Sequence, residues 1–179
     1  VVNHLNLTEQ QKHFLTHFPL YFIPPYIAIH LLNLSWLTDA IAFVESSLLA
    51  SVGVKNALYG SFIDVGAIVF QIVVDCSGLV MITLFLALVY SAKPFGKSAK
   101  RRKKTKQKTS YAFLAFVPVI FLFNLIRLFF TLWTGVVFGQ QVLSAVHFAL
   151  WFIDAGFVFL LWSINAGVDL RKALKAVSH

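Results

Sequence analysis

The sequence predicts an all-α protein: a polytopic membrane helical bundle with a short extracytoplasmic β-like or extended segment ahead of its single cysteine. Three observations carry this prediction: the apolar bias of the chain, the segregation of its charge, and a change of pattern between Gly53 and Asp75. Of 179 residues, 59% are hydrophobic and only 12% charged, about half the charge of a usual soluble domain. So few polar side chains cannot cover a water-exposed fold, which excludes a soluble globular domain. Of the 15 Lys and Arg residues, nine fall between Lys93 and Lys108, while long stretches elsewhere are almost free of charge.

Residues 1–17 precede the membrane-embedded region. Leu7, Phe14, Leu15 and Phe18 form a rough apolar stripe, as expected of an interfacial N-terminal segment. A secretory signal peptide is not expected, because no basic n-region leads into the apolar residues. His13 and His17 are spaced i, i+4 but lack a carboxylate helper, so they read as surface histidines and no metal is expected. Asn6-Leu7-Thr8 matches the glycosylation acceptor pattern.

Phe18 to Leu37 is long and apolar enough for a span, with Pro24-Pro25 as a possible kink. Ala40 to Val54 carries Glu45 at its middle and has two readings, a span with a buried carboxylate or an amphipathic helix at the interface. Between Gly53 and Asp75, β-branched and aromatic residues fill two short runs around Asp64-Val65-Gly66, which reads as a hairpin or extended element; a continuous helix is the alternative. From Ile72 through Ala92 the chain is apolar again. Ser110 to Phe130 is the clearest span, interrupted by Pro118, Asn124 and Arg127, and Ser144 to Asn165 is another, with Asp154 inside it. Four or five spans result, within a membrane-embedded region of residues 18–166.

Basic loops remain on the cytoplasmic side, which places the basic loop 93–109 and the C-terminal tail 167–179, with Arg171, Lys172 and Lys175, in the cytoplasm. Residues 97–108 are too short for a nucleic-acid-binding domain and sit between spans, so anionic headgroups are the expected neighbours and no nucleic acid partner is expected.

This topology brings three chemically distinct side chains to one outer level. A lone cysteine in apolar surroundings is usually an inert hydrophobe, yet Cys76 stands where an external segment turns into a helix, whose first N–H groups favour a thiolate. Arg127 lies about three residues, roughly 5 Å, from the end of its span at Phe130. It either snorkels to headgroups or lines a polar site, and Asn124 on the same helical face favours a site. His147 begins the last span from the same side. A thiol, an imidazole and a guanidinium are the groups needed to form a thiolate, attack a peptide carbonyl and stabilise the oxyanion.

The ordered blocks Val74-Asp75-Cys76-Ser77-Gly78-Leu79, Asn124-Leu125-Ile126-Arg127 and His147 resemble the exosortase and archaeosortase family of membrane-embedded cysteine transpeptidases, over roughly residues 40 to 165. The resemblance implies Cys76 as nucleophile, Arg127 as essential cation and His147 as general base or acid, without a cofactor. Asp75, Ser77, Gly78, Asn124 and Asp154 are supporting candidates. The implied partner is a secreted protein with a C-terminal motif, a hydrophobic span and a basic tail, with a membrane lipid as acceptor. Asp75 departs from the small or apolar residue associated with that position; a carboxylate there opposes thiolate formation unless Arg127 offsets it. Asp154, about 10 Å along the helix from His147, is too far for a direct bond to it and is expected to pair across spans or hydrate a cavity. Two other classes fit the residues: a small transporter or channel with Arg127, Asn124 and Asp154 along an anion path, and a noncatalytic assembly subunit.

Overall fold

The computed structural model describes residues 8–92 and 99–166, with Gln10 and residues 99–114 as backbone alone. The expectations placed on residues 1–7, 93–98 and 167–179 lie outside this range.

The first helix, α1 (Glu9–Leu31), starts at a reciprocal cap. Thr8 Oγ1 accepts the Gln11 N–H and the Gln11 side chain accepts the Thr8 N–H at 2.8 Å, satisfying two donors that a helix start leaves open. The helix continues through Pro19, Pro24 and Pro25, so no boundary falls at residue 17: residues 9–17 and 18–31 form one rod. Along one face the rings of Phe14, Phe18, Phe22, Tyr26 and His30 form an i, i+4 ladder, with centroids 5.4, 5.8, 5.6 and 4.4 Å apart.

The apolar stretch expected to run unbroken to Leu37 breaks at Leu32, whose backbone is extended, and α2 (Ser35–Ser51) leaves at 83° to α1. Thr38, Ile41, Ala42, Glu45 and Leu49 form its buried face, at the spacing that keeps one helical stripe inward. Glu45 is 0% exposed, so its carboxylate faces the protein interior. Neither carboxylate oxygen has a hydrogen-bond partner among the described residues.

A three-stranded antiparallel meander follows: β1 (Ala57–Tyr59), β2 (Phe62–Asp64) and β3 (Val69–Gln71). This is the expected extended element, with one strand more than a hairpin. Tyr59 pairs with Phe62 across a tight turn in which Gly60 takes a φ of +57°, the conformation such hairpins require. Ile63, Phe70 and Ile72 point inward and pack with Ile41, Ala42 and Leu49 of α2.

A 3-10 turn (Val74–Ser77) leads into α3 (Leu79–Ser91). With 13 residues α3 is about 20 Å long, short of the roughly 30 Å hydrocarbon core. Helices α4 (Ala99–Phe138) and α5 (Gln140–Ala166) form a hairpin about Gly139, at φ +83°. Four sequence expectations change here. Residues 99–109 are the opening turns of α4 rather than a loop; α4 continues to Phe138, past Phe130; α5 starts at Gln140, ahead of Ser144; and the apolar helix after the cysteine starts at Leu79, not Ile72. Among the described residues, two helical segments, Ala115–Phe138 and Gln140–Ala166, are long and apolar enough to cross a membrane, or three if the bent α1–α2 pair counts as one. The four or five expected spans are reduced by the bend after Leu31 and the shortness of α3.

Two apolar clusters share α4. The first joins α2 and the sheet to Leu128 and Leu132. The second joins Met81 and Phe85 of α3 and Val158 and Leu161 of α5 to Ile120. Between Ile120 and Leu128 lie two buried polar residues, Asn124 and Arg127.

Candidate active site

The cysteine turn is shaped by its own residues and held by three helices. Gly78, at φ +78°, ends the 3-10 turn and starts α3. That left-handed backbone favours glycine, and a Cβ there would meet the Asn124 side chain at 3.1–3.3 Å. Ser77 is fully buried, and its Oγ accepts the Leu79 N–H at 3.3 Å, covering one open donor of the new helix.

From α4, Asn124 Nδ2 donates to the Cys76 carbonyl at 2.7 Å, tying the turn to the hairpin. Arg127, one turn further along, donates through Nη1 to Asp154 Oδ2 of α5. Asp154 therefore pairs across helices. The pair is well buried, at 6% and 13% side-chain exposure. Arg127 sits eleven residues before the end of α4, about 16 Å by helical rise, not near its end. Burial and the ion pair replace snorkelling. Among the described residues, Arg127 Nε, Asp154 Oδ1 and Asn124 Oδ1 are buried without hydrogen-bond partners. Beside the cysteine turn, these are one donor and two acceptors open to a polar ligand or water.

Cys76 is half-buried and free. Its turn lies ahead of α3, outside the apolar helices. Burial pushes the thiol above its ordinary range; a hydrogen bond with the Val73 backbone and the Arg127 charge pull it back, and the Asp75 carboxylate pushes it up again. Arg127 is thus within electrostatic reach of the sulfur while its direct bond goes to Asp154.

His147 stands apart. Its ring is exposed beside Trp151, with centroids 6.5 Å apart, and within coulombic range of Asp154. Among the described residues it makes no hydrogen bond to Cys76. Seven residues after Gln140, the first residue of α5, it is roughly 10 Å along the helix from that start. Because α4 and α5 both extend beyond the expected spans, His147 is about 6 Å nearer the hairpin corner than Arg127, rather than level with it.

Asp75 turns to a residue outside the set expected from the sequence. His30, at the end of α1, meets Asp75 Oδ1 through Nε2 at 2.9 Å, while its Nδ1 meets the Tyr26 carbonyl at 2.8 Å. Asp75 therefore bonds to His30 rather than Arg127. The available signal was an ionisable residue at the end of an otherwise uncharged apolar stretch.

No curated protein and no solved structure matches the chain. A family model described as transmembrane exosortase matches residues 10–166. That range takes in all five helices, the sheet, the cysteine turn and the polar residues around it. Exosortases act on secreted substrates with C-terminal sorting signals, and their activity is in general that of a transpeptidase or protease. By this match the protein belongs to the transmembrane exosortase family.

Proposed function

We propose that this membrane protein is a cysteine-dependent transpeptidase that cleaves secreted proteins at a C-terminal sorting signal through a thioester and passes the product to a membrane lipid. The observation that carries this reading is the setting of Cys76 within an exosortase chain. It is a single half-buried thiol on a turn tied by Asn124, within reach of a buried guanidinium that has an unpartnered Nε donor.

In this reading His147 takes the thiol proton and Cys76 Sγ attacks the scissile carbonyl carbon. The carbonyl π electrons move onto oxygen, and a free donor of Arg127 stabilises the oxyanion while Asp154 holds the guanidinium in place. Collapse expels the amine, which takes the proton from His147, and leaves an acyl group on sulfur. A nucleophilic lipid headgroup then attacks the thioester, gives its proton to His147, and Cys76 leaves as thiolate to regain that proton. Since His147 and Cys76 are not bonded in the free enzyme, the bound peptide must draw them together or a water must bridge them.

The basic residues at 93–109 and 167–179 support a cytoplasmic side for these segments and an extracytoplasmic side for the site. The substrate's hydrophobic span would lie in the bilayer beside the helices, with its basic tail on the cytoplasmic side.

The test is processing of a candidate substrate in cells lacking any paralogue. Cys76→Ala, Arg127→Ala and His147→Ala proteins are expected to insert and leave the substrate uncut. Full processing by Cys76→Ala would remove the nucleophile assignment.

A further inference from the structure

His30 lies 45 residues from Asp75 in the chain, yet bonds to the carboxylate next to the cysteine. Both of its ring nitrogens face acceptors, the Tyr26 carbonyl and the Asp75 carboxylate. A neutral imidazole has one N–H and satisfies one acceptor; only the imidazolium satisfies both while Asp75 remains ionised. The Tyr26 ring, the rung below in the aromatic ladder of α1, also lies against the His30 ring, tilted to it with centroids 4.4 Å apart. The last turn of a helix is the end at which a cation is favoured.

We propose that His30 is a positioning residue, held as an imidazolium between the Tyr26 carbonyl and Asp75, which neutralises the charge beside Cys76 and ties the cysteine turn to α1. The inference rests on Cys76 being the reactive group of the proposed function. It accounts for Asp75, a carboxylate next to a thiol that must ionise. With His30 charged, Asp75 and His30 together present a dipole to the thiol; without it, a full negative charge faces the sulfur. Besides Asp75, the charge whose field reaches the thiol among the described residues is that of Arg127 of α4. Arg127 is engaged by Asp154 and is not bonded to Asp75.

Among these 179 residues Cys76 is the single cysteine, so alkylation of this purified chain reports on Cys76 alone. Its rate against pH, followed by intact mass, gives the thiol titration without any substrate. His30→Ala is expected to move the midpoint up and slow alkylation below it by about threefold, the effect of one unscreened charge several ångströms away in water. Asp75→Asn is expected to move it down by a similar factor. The double variant should follow Asp75→Asn alone, because His30 acts through Asp75. His30→Gln, which keeps a donor but lacks the charge, should behave like His30→Ala and serves where the alanine variant does not fold. Shifts of the same sign in the His30 and Asp75 variants, additive shifts in the double variant, or wild-type titration in His30→Gln would each overturn the proposal. A failure here leaves the nucleophile reading standing, and processing that survives Cys76→Ala overturns that reading without altering this coupling.

Discussion

Two cation–carboxylate pairs meet at the cysteine turn, and they differ in what surrounds them. Arg127 and Asp154 join α4 to α5 at 6% and 13% side-chain exposure, whereas His30 and Asp75 join α1 to the turn at 35% and 57%. The first pair has been taken out of water, so each charge depends on the other. The second remains hydrated, so water substitutes for much of what either partner loses. One contact can therefore serve architecture and chemistry together, and the other can tune the thiol and hold the turn at little cost to overall stability when lost.

The largest expected effect lies on the buried side. Arg127→Ala strands the Asp154 carboxylate and is expected to cost about 3–5 kcal/mol of stability, measured by thermal unfolding in detergent. Removing both charges together should recover much of that loss. His30→Ala should leave the unfolding temperature nearly unchanged. If the two single variants destabilised equally, the contrast between the pairs would fail.

A smaller effect is expected where the buried side grips the turn. Gly78→Ala places a side chain at φ +78° and against Asn124. The backbone strain alone is on the order of 1–2 kcal/mol. Unfolding and processing of Gly78→Ala measured side by side should both fall, since the displaced Asn124 also loses its bond to the Cys76 carbonyl. Stability equal to wild type would mean the turn adapts and is not held by this contact.

The smallest effect is a pH profile. Burial holds the Cys76 thiol above the ordinary range, so the protonated form dominates at neutral pH. Its alkylation rate should keep rising with pH beyond the point at which an exposed thiol levels off. Arg127→Lys, which keeps a cation, should leave this curve close to wild type. Levelling near neutral pH would show a thiolate stabilised by something other than Arg127.

Much of this was legible in the residues. The i, i+3 spacing of Asn124 and Arg127 marks a shared helical face, and Asp154 stands out as a carboxylate in an apolar stretch that needs a partner from another helix. The Gly60 and Gly66 turns announce the sheet. The helix ends were harder to place, because polar residues resembled boundaries. Thr131 and Thr134 donate their hydroxyls back to the Arg127 and Phe130 carbonyls at 2.8 and 2.7 Å, and Ser144 does the same to Gln140 at 3.2 Å. Satisfied within the helix, they carry α4 and α5 past the expected ends and displace His147 from the level of Arg127. His30 was hidden for another reason. Its contact with Asp75 depends on the packing of α1 against α3, which local pattern does not report.

The central claim is that Cys76 carries the acyl group. The direct measurement is mass spectrometry of a candidate substrate incubated with membranes containing the wild type or Cys76→Ala. A substrate fragment linked to the peptide bearing Cys76 and a lipid-modified product are expected, both lost in the variant. A processed substrate with no adduct at Cys76, formed equally well by the variant, would contradict it.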